Sequence, residues 1–393
     1  MRKKRIGLIL AYQGTNYGAQ LQAFATQVLL ETLGVDTEII EYSAEKKSRR
    51  IPCDKDYILH ILPIIVYNKV FKKNEVVVTD STFLENRKLR LTAKTLFIQE
   101  NLHNIVKIVG YNDLVSYSKQ FDAILVGSDQ KWVPGFSFGG IDSLKFVPKE
   151  VRRISFSTSL GVSEYPKYCW KTARECWDNI DYLSVREEQG ADIIRRVCGN
   201  IPVQVLCDPT YTITKEQWEK LIPIQSMCKE KYILAYFLGN DESIFKSARS
   251  YADKQGIKLL ALPSCESYSP LAFNFADYNI KGASPKEFVN WVRGAECVLT
   301  DSFHGLAFSV INEKQFFIYY RKRDDAKISR NSRIDNVLEK WGLKNRLIVD
   351  KTLEWEKEQI SQIDYSTVTP LVLRERDKAL EFLTNALSFD GNE

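Results

Sequence analysis

The chain has 393 residues, too many for one compact core, so we predict two domains. Hydrophobic residues make up 44% and charged residues 27% of the sequence, which is typical of a soluble globular protein. The 55 basic and 50 acidic residues leave a net charge of +5, which argues against a nucleic-acid-binding protein and is compatible with an anionic small substrate or with loose attraction to an anionic membrane.

An alternation of strands and helices begins near the N-terminus. Residues 6–11 are predicted to form a buried strand rather than a signal peptide, because the apolar stretch runs straight into polar residues and no small-residue cleavage site follows. Apolar residues then recur at helical spacing from Leu21 to Leu33, and Gly34 ends that helix. Residues 35–42 form the next strand, so this unit predicts a right-handed parallel crossover.

The segment 44–120 is harder to interpret. It contains an apolar stretch at 57–67, for which a core segment is favoured over a surface element resting on a membrane, and no stretch in the sequence is long enough to span a bilayer. We predict a long helix near 98–120. Beyond it the alternation resumes, with a helix at 166–180 and strands within 121–129, 152–161, 181–188 and 201–210.

A second alternating run follows a break near 210–230. Its predicted strands lie within 231–239, 257–263, 295–302 and 315–320, and its helices at 241–255, 284–295, 304–313, 332–343 and 366–387. Two such runs predict an α/β protein with two Rossmann-like domains facing a cleft. We assign 1–220 to the first domain, 221–365 to the second, and 366–393 to a C-terminal helix that could pack back on the first domain.

Polar residues beyond the carboxyl ends of the strands are the candidates for a site, because ligands of such folds bind there. The loop 13–18 precedes a helix N-terminus, whose free N–H groups suit a phosphate or carboxylate, although an ordinary strand–helix turn explains the pattern equally well. Asp129, Gln130 and Trp132 could form a sugar-binding site, since Trp faces stack on sugars and the other two bind hydroxyls. The alternative is that Trp132 fills the core.

Cationic side chains follow two other strands. Arg186 directly after a strand could present its guanidinium to a carboxylate or phosphate, or could form a structural ion pair with Glu187 or Asp181. The basic loop 321–333 follows the strand next to that of His304 and could hold an anion, although a solvated surface is the usual explanation of such a run.

His304 is the strongest catalytic candidate. The chain has 3 histidines, and this one alone lies at a strand end followed by a glycine and a helix, where an imidazole can act as a general acid or base. His60 and His103 are interpreted as packing residues. The 8 cysteines form no CxxC pair, so we expect buried free thiols in a reducing cytosol and no metal site.

Four segments, in order, resemble motifs of the polysaccharide pyruvyl transferase family. They are NYGAQLQAFATQVLLETLG from residue 16, VGSDQKW from 126, SVREEQG with VLCDPT, and LTDSFHGLAFSVINEKQFF from 299. The resemblance implies the two-domain GT-B architecture of glycosyltransferases. It also implies transfer of a pyruvyl group from phosphoenolpyruvate onto two hydroxyls of a sugar in a cell-surface polysaccharide or its precursor.

The resemblance also implies roles for residues. His304 would be the general acid or base, and Arg186 would bind the donor. From their positions in the loops after the strands we also expect donor binding by Arg321, Arg323, Arg333, Asn16, Gly18 and Ser302. The acceptor would be bound by Asp129, Gln130 and Trp132. Several ketal-forming members carry an arginine where this chain has Ser302, and the cations of the loop 321–333 are the candidates to replace it.

The remaining expectations concern partners, location and alternatives. We expect no cofactor beyond phosphoenolpyruvate as donor substrate, no nucleic acid, and a cytoplasmic protein that could contact the inner face of the membrane through a lipid-linked acceptor. A nucleotide-sugar-dependent glycosyltransferase of the same architecture is the main alternative, because fold alone does not decide function. A glycan-binding or scaffold protein without activity is the other.

Overall fold

The computed structural model describes residues 2–43, 78–134, 140–266, 268–321, 331–350, 355 and 361–388. The apolar stretch 57–67 and His60 lie outside these residues. Among the described helices, none combines the length and the apolar character needed to cross a membrane.

The first domain is built on a parallel sheet. Its seven strands lie in the order β3-β2-β1-β4-β5-β6-β7, with bounds β1 Arg5–Ile9, β2 Asp36–Ser43, β3 Ile105–Val109, β4 Ala123–Asp129, β5 Arg152–Thr158, β6 Ser184–Val185 and β7 Gln204–Val205. The helices of this part of the chain are α1 Tyr17–Thr32, α2 Ser81–Asn101, α3 Tyr111–Ser118, α4 Trp170–Trp177, α5 Glu188–Cys198 and α6 Lys215–Leu221. The central strand β4 is buried over its first six residues, as expected of a strand covered on both faces.

The second domain repeats this design. Six parallel strands lie in the order β10-β9-β8-β11-β12-β13, with bounds β8 Tyr232–Tyr236, β9 Lys258–Ala261, β10 Tyr278–Asn279, β11 Cys297–Thr300, β12 Gln315–Tyr319 and β13 Leu347–Ile348. Its helices are α7 Glu242–Gln255, α8 Pro285–Gly294, α9 Phe303–Ile311 and α10 Ser332–Lys340. The prediction of two Rossmann-like domains is therefore confirmed, whereas the boundary proposed near residue 220 stays a prediction.

The ends of the helices follow from local chemistry. The Asn16 side chain caps α1 by accepting a hydrogen bond from the Gly18 N–H at 3.0 Å, and Gly34 after the helix has a φ of 80°. Ser284 caps α8, and its hydroxyl and the Glu287 carboxylate form a reciprocal capping box.

The predicted helix at 98–120 is wrong. Ile98, Leu102, Ile105 and Ile108 recur at helical spacing, but α2 ends at Asn101 and the last two of these residues belong to β3. β3 lies at the edge of the first sheet with only Ile108 buried, so its burial pattern lacks the continuous apolar run of a central strand. Asn104, with a φ of 53°, turns the chain from the helix into the strand.

The last helix, α11 Tyr365–Leu387, contacts both domains. Near its start the Tyr365 hydroxyl donates to the backbone oxygen of Lys314 in the second domain. Near its end the Arg152 guanidinium in β5 donates to the backbone oxygen of Ala386 at 2.7 Å, and the ring of Phe382 packs on Tyr182. α11 therefore links the two domains.

Candidate active site

A cavity of about 500 Å³ lies between the two domains. The first domain lines it at the carboxyl-terminal ends of β1, β2 and β4, and the second lines it beyond β11 and β12, the edges where ligands of parallel α/β sheets bind. Its volume is typical of small-molecule sites. Its polar and charged lining residues are Tyr12, Gln13, Asn16, Glu41, Tyr42, Asp129, Gln130, Lys131, Glu266, Ser302, His304, Arg321 and Arg333.

Three buried ionisable side chains lie together beside this cavity, and of these His304 lines it whereas Arg186 and Asp208 lie behind it. The Arg186 Nη2 lies 2.7 Å from the Asp208 Oδ2, and the His304 Nε2 lies 3.6 Å from the same oxygen. Arg186 also donates to the Ser128 hydroxyl. All three ionisable residues are at least 97% buried. One carboxylate of the first domain thus neutralises an arginine of its own domain and faces a histidine of the other.

The position of Asp208 follows from the turn that it begins. Its Oδ1 accepts hydrogen bonds from the Thr210 N–H at 2.9 Å and the Thr210 hydroxyl at 2.7 Å, which cap the 3-10 turn Pro209–Thr212. The other oxygen, Oδ2, is left to face Arg186 and His304. Burial alone would raise the pKa of Asp208, but the charge of Arg186 and the adjacent imidazole outweigh it and hold the pKa well below its usual range.

His304 lies in the first turn of α9, where the Ser302 side chain caps the helix by accepting from the Gly305 N–H at 3.4 Å. Its ring packs directly against the backbone of Gly18 in the first domain. A β-carbon at residue 18 would lie 1.9 Å from the imidazole Nδ1, so only glycine leaves room for the ring. Gly18 therefore acts here by allowing close approach of the histidine.

Several buried polar atoms at the site form no hydrogen bond within the described residues: the Arg186 Nε and Nη1, the Arg333 Nε, the His304 Nε2 and the Asp208 Oδ2. Buried polar groups are normally satisfied, so this cluster calls for a ligand or ordered water. The guanidinium groups of Arg186 and Arg333 both lie over the Phe303 ring, at 5.0 and 5.6 Å from its centroid.

The structure brings two cations of the predicted basic loop to the cavity. Arg333 lies 3.7 Å from Asp129 across the domain boundary, and burial lowers its pKa to about 10. Arg321 lies 3.5 Å from the Asp301 carboxylate, which also accepts from the N–H groups of Leu238 and Gly239. Both arginines line the cavity together with Ser302, whereas Arg323 lies outside the described residues.

The structure places the three predicted acceptor residues in two different environments. Asp129 and Gln130 line the cavity. Trp132 is fully buried, donates its indole N–H to the Asp142 backbone oxygen at 3.0 Å, and packs edge-on against Trp177. The expectation that Trp132 binds the acceptor by stacking is therefore corrected. The indole is packed entirely within the hydrophobic core, so neither of its faces is accessible to a sugar.

The other predicted residues have mainly local roles. Asn16 caps α1 and also accepts from the Tyr236 hydroxyl of the second domain at 3.2 Å, so it joins the domains at the cavity. His103 was interpreted as a packing residue, but its side chain is 53% exposed and its Nε2 lies 2.5 Å from Glu31.

Sequence reasoning missed Asp208 and Glu41 as site residues. Asp208 falls within the predicted strand segment 201–210, and the available signal was an acidic residue directly before Pro209. Glu41 lies in β2, and its carboxylate accepts from the Tyr12 hydroxyl and the Gln13 amide at the cavity wall. The sequence offered no signal for Glu41, because it shows only one of several charged residues in a strand.

The family model for polysaccharide pyruvyl transferase matches residues 16–323 of the chain. This range includes Asn16, Arg186, Asp208, His304 and Arg321. No curated protein matches the chain in sequence.

Solved structures share the architecture at low sequence identity. The UDP-GlcNAc 2-epimerase from Neisseria meningitidis bound to UDP-GlcNAc has 11% identity and a TM-score of 0.50, with 98% of this chain and 99% of that chain covered. The Rickettsia bellii UDP-N-acetylglucosamine 2-epimerase has 10% identity and a TM-score of 0.52, covering 98% and 97%. Arabidopsis thaliana UGT89C1 has 11% identity and a TM-score of 0.51, covering 98% and 100%. These likenesses show the fold alone, which is the GT-B type.

Proposed function

Because the chain belongs to the polysaccharide pyruvyl transferase family, we propose that it moves a pyruvyl group from phosphoenolpyruvate onto a sugar of a cell-surface polysaccharide or its precursor. The observation that carries this proposal is the meeting of Arg186, Asp208 and His304 beside a cavity that also contains Arg321 and Arg333. Phosphoenolpyruvate bears a carboxylate and a phosphate, so its site needs cationic donors and a proton donor close together.

The arginines supply the anion-binding part of this proposal. Guanidinium groups bind carboxylates and phosphates through paired N–H donors, and the unpartnered Arg186 and Arg333 nitrogens have donors to offer. The side chain of Arg321 is 31% exposed at the cavity, so it can turn towards a ligand. In this proposal Arg321 and Arg333 take the place of the arginine that several family members carry at the position of Ser302.

His304 acts as the general acid. Protonation of the donor's methylene carbon builds positive charge on the neighbouring carbon, which a sugar hydroxyl attacks. The bond from that carbon to the phosphate oxygen breaks, and attack by a second hydroxyl closes the ketal. One hydroxyl proton restores the acid and the other leaves with the released phosphate. The Asp208 carboxylate lies next to the imidazole, with its Oδ2 3.6 Å from the His304 Nε2.

Calorimetric titration and phosphate release test the proposal. We expect the protein to bind phosphoenolpyruvate, and His304→Gln to retain that binding while phosphate release in the presence of acceptor falls by about 10²–10⁴-fold, the usual contribution of a positioned acid. His103→Gln is the matched control, because His103 is a half-exposed histidine that pairs with Glu31. Its rate should equal that of the wild type.

The same titration separates the proposal from its alternatives. Binding of UDP with no binding of phosphoenolpyruvate would favour the nucleotide-sugar-dependent glycosyltransferase. A folded, fully active His304→Gln protein would remove the histidine from the mechanism. Because thermal melting is recorded for each variant, a loss of fold cannot be mistaken for a loss of chemistry.

A further inference from the structure

Asp301 is a buried carboxylate at the edge of the second sheet that faces the cavity. It directly follows β11, which lies between β8 and β12 in the sheet, so its neighbours are the segments that follow those two strands. Its side chain is 0% exposed, and the next residues along the chain, Ser302 and His304, line the cavity. A carboxylate buried at this place needs partners, because an unpaired buried charge is costly.

The first partners of Asp301 are backbone groups of the segment after β8. Its Oδ1 accepts from the Leu238 N–H at 2.7 Å, and its Oδ2 accepts from the Gly239 N–H at 2.8 Å. Both hydrogen bonds are short and involve a charged acceptor, so they are strong. One bond to each oxygen fixes the plane of the carboxylate, and the backbone of the second domain alone provides both.

The third partner of Asp301 is Arg321, which lies two residues after β12. The Arg321 Nε lies 3.5 Å from the Asp301 Oδ2, and the Nη2 donates to the Asp301 backbone oxygen at 3.4 Å. The edge of the guanidinium that carries Nε therefore faces Asp301. Within the described residues the Nη1 forms no hydrogen bond, and the side chain, 31% exposed, lines the cavity. The Nη1 end is thus available to an anion.

Gly239 leaves the space that this arrangement requires. A β-carbon at residue 239 would lie 2.9 Å from the Asp301 Oδ2 and 3.0 Å from the Arg321 Cγ. Both distances are shorter than the optimal separation of non-bonded atoms, so a side chain there would displace the arginine or the carboxylate. The segments after three neighbouring strands therefore act together on the direction of one cation of the cavity.

We propose that Asp301 is a positioning residue, which holds Arg321 in the direction needed to bind the donor and affects donor binding only through this arginine. The inference rests on the proposed function. An arginine side chain loses considerable rotational freedom when it binds a ligand, and orienting it in advance reduces that cost. Asp301 takes up the Nε edge and leaves the Nη1 end to a carboxylate or phosphate.

A double-mutant cycle in phosphoenolpyruvate binding tests this relation, because it distinguishes an effect through Arg321 from a general one. Calorimetric titration is carried out on the wild type, Asp301→Asn, Arg321→Gln and the double variant. We expect each single substitution to weaken binding by about tenfold or more, and the double variant to bind no more weakly than Arg321→Gln. Equal weakening by Asp301→Asn in both backgrounds, or no weakening in either, would overturn the proposal.

Asp277→Asn is the matched control. Asp277 also belongs to the second domain, accepts from the Leu259 N–H at 2.7 Å, and pairs with the Arg249 Nη1 at 2.8 Å. Neither Asp277 nor Arg249 lines the cavity, so the binding of phosphoenolpyruvate should be unchanged.

Gly239→Ala tests the same relation in a protein that keeps the aspartate, and it carries the test if Asp301→Asn does not fold. Its β-carbon would displace the Arg321 side chain. We expect weaker binding of phosphoenolpyruvate than in the wild type, and no further weakening when the substitution is added to Arg321→Gln. Wild-type affinity in a folded Gly239→Ala protein would contradict the proposal.

NMR of the Arg321 side chain keeps this inference apart from the proposed function. In protein with isotope-labelled arginine, Arg321→Lys identifies the Nε–H signal. We expect Asp301→Asn to shift that signal and to speed its exchange with solvent, whether or not phosphoenolpyruvate is present. These changes in a protein that binds no phosphoenolpyruvate would retain the positioning and remove the donor. Donor binding with an unchanged signal would remove the positioning and retain the donor.

Discussion

Asp208 is a buried carboxylate that contacts both an arginine and a histidine of the site. Its carboxylate is buried, its Oδ1 caps a turn, and its Oδ2 faces an arginine and a histidine from different parts of the chain. Removing one member of a buried ion pair leaves the other charge without compensation, which is far more costly than the pair itself is stabilising. We therefore expect the residue to contribute to the stability of the fold.

Substitution of Asp208 by asparagine tests this role through pH. We expect Asp208→Asn to lower the free energy of unfolding at pH 7 by about 3–5 kcal/mol, because Arg186 loses its counter-charge. Folding lowers the Asp208 pKa, so its contribution is present above the pKa of an unfolded aspartate, about 4, and is lost as the pH falls towards the folded value. The difference between wild type and variant should accordingly shrink below about pH 4.

Chemical denaturation of both proteins between pH 7 and pH 3 measures this difference. A gap that stays constant over the whole range would mean that ionisation of Asp208 does not stabilise the fold. A gap near zero at pH 7 would mean that Arg186 finds another counter-charge, for which the neighbouring Glu187 is the available candidate.

Gly18 illustrates how a residue without a side chain can determine the site. Alanine there would place a β-carbon 1.9 Å from the His304 Nδ1, and the ring, being 97% buried, has little space into which to move. We expect Gly18→Ala to cost about 1–3 kcal/mol of stability through overpacking and to slow phosphate release to the level of His304→Gln. Helix propensity alone would favour alanine at this position in α1, which makes the expected loss diagnostic.

Thermal melting and phosphate release measure this effect. Gly14→Ala, in the loop that precedes α1, is the stability control, because its added β-carbon would have its nearest neighbour at 3.9 Å, an ordinary contact. Its melting temperature should match that of the wild type. Full activity in Gly18→Ala would show that the ring can relocate without loss of function.

At the scale of elements, α2 belongs to the first domain and forms hydrogen bonds with the second. It lies in the chain between β2 and β3 of the first sheet, yet its buried Arg90 donates to the Pro263 backbone oxygen of the second domain at 2.9 Å. The same guanidinium lies 4.5 Å over the Tyr17 ring of α1. Asn86, one turn earlier, accepts from the Gly282 N–H at 2.8 Å.

Arg90→Met tests whether the hydrogen bond from Arg90 to Pro263 stabilises the contact between the domains. Methionine keeps much of the side-chain volume and removes the charged donor, so the Pro263 oxygen is left unsatisfied. We expect a loss of about 1.5–3 kcal/mol in urea denaturation, the usual contribution of a hydrogen bond to a charged group. Arg87→Met on the exposed face of the same helix is the control and should change stability by less than about 0.5 kcal/mol. Equal stability of the two variants would show that this hydrogen bond does not stabilise the contact.

The elements also show where sequence patterns succeed. Central strands such as β4, β8 and β11 are continuous apolar runs, because both faces of a parallel sheet are covered, and they were predicted correctly. The edge strand β3 was not, since its apolar residues continued the helical spacing of α2.

At the scale of the whole molecule, two alternating runs were enough to predict two Rossmann-like domains, and the four ordered motifs indicated the family that the match over 16–323 shows. The sequence also placed His304 and Arg186 at strand ends, and Arg321 and Arg333 in a basic segment after another strand. It could not show that Arg186 and His304 both face Asp208, because His304 and Asp208 are almost a hundred positions apart in the sequence. It also could not show that Trp132 faces the core, since an indole suits either environment.

The contact of His304 with Gly18 and Asp208 has a consequence for modularity. Two Rossmann-like domains suggest that domains could be exchanged between family members. In this chain, however, His304 belongs to the second domain, whereas Gly18 and Asp208, which it contacts, belong to the first. A chimera built on this first domain would preserve the position of the imidazole only if the histidine of the new second domain contacts both Gly18 and the Asp208 carboxylate. Exchange of a domain in this chain is therefore constrained at the interface between the two domains rather than within either sheet.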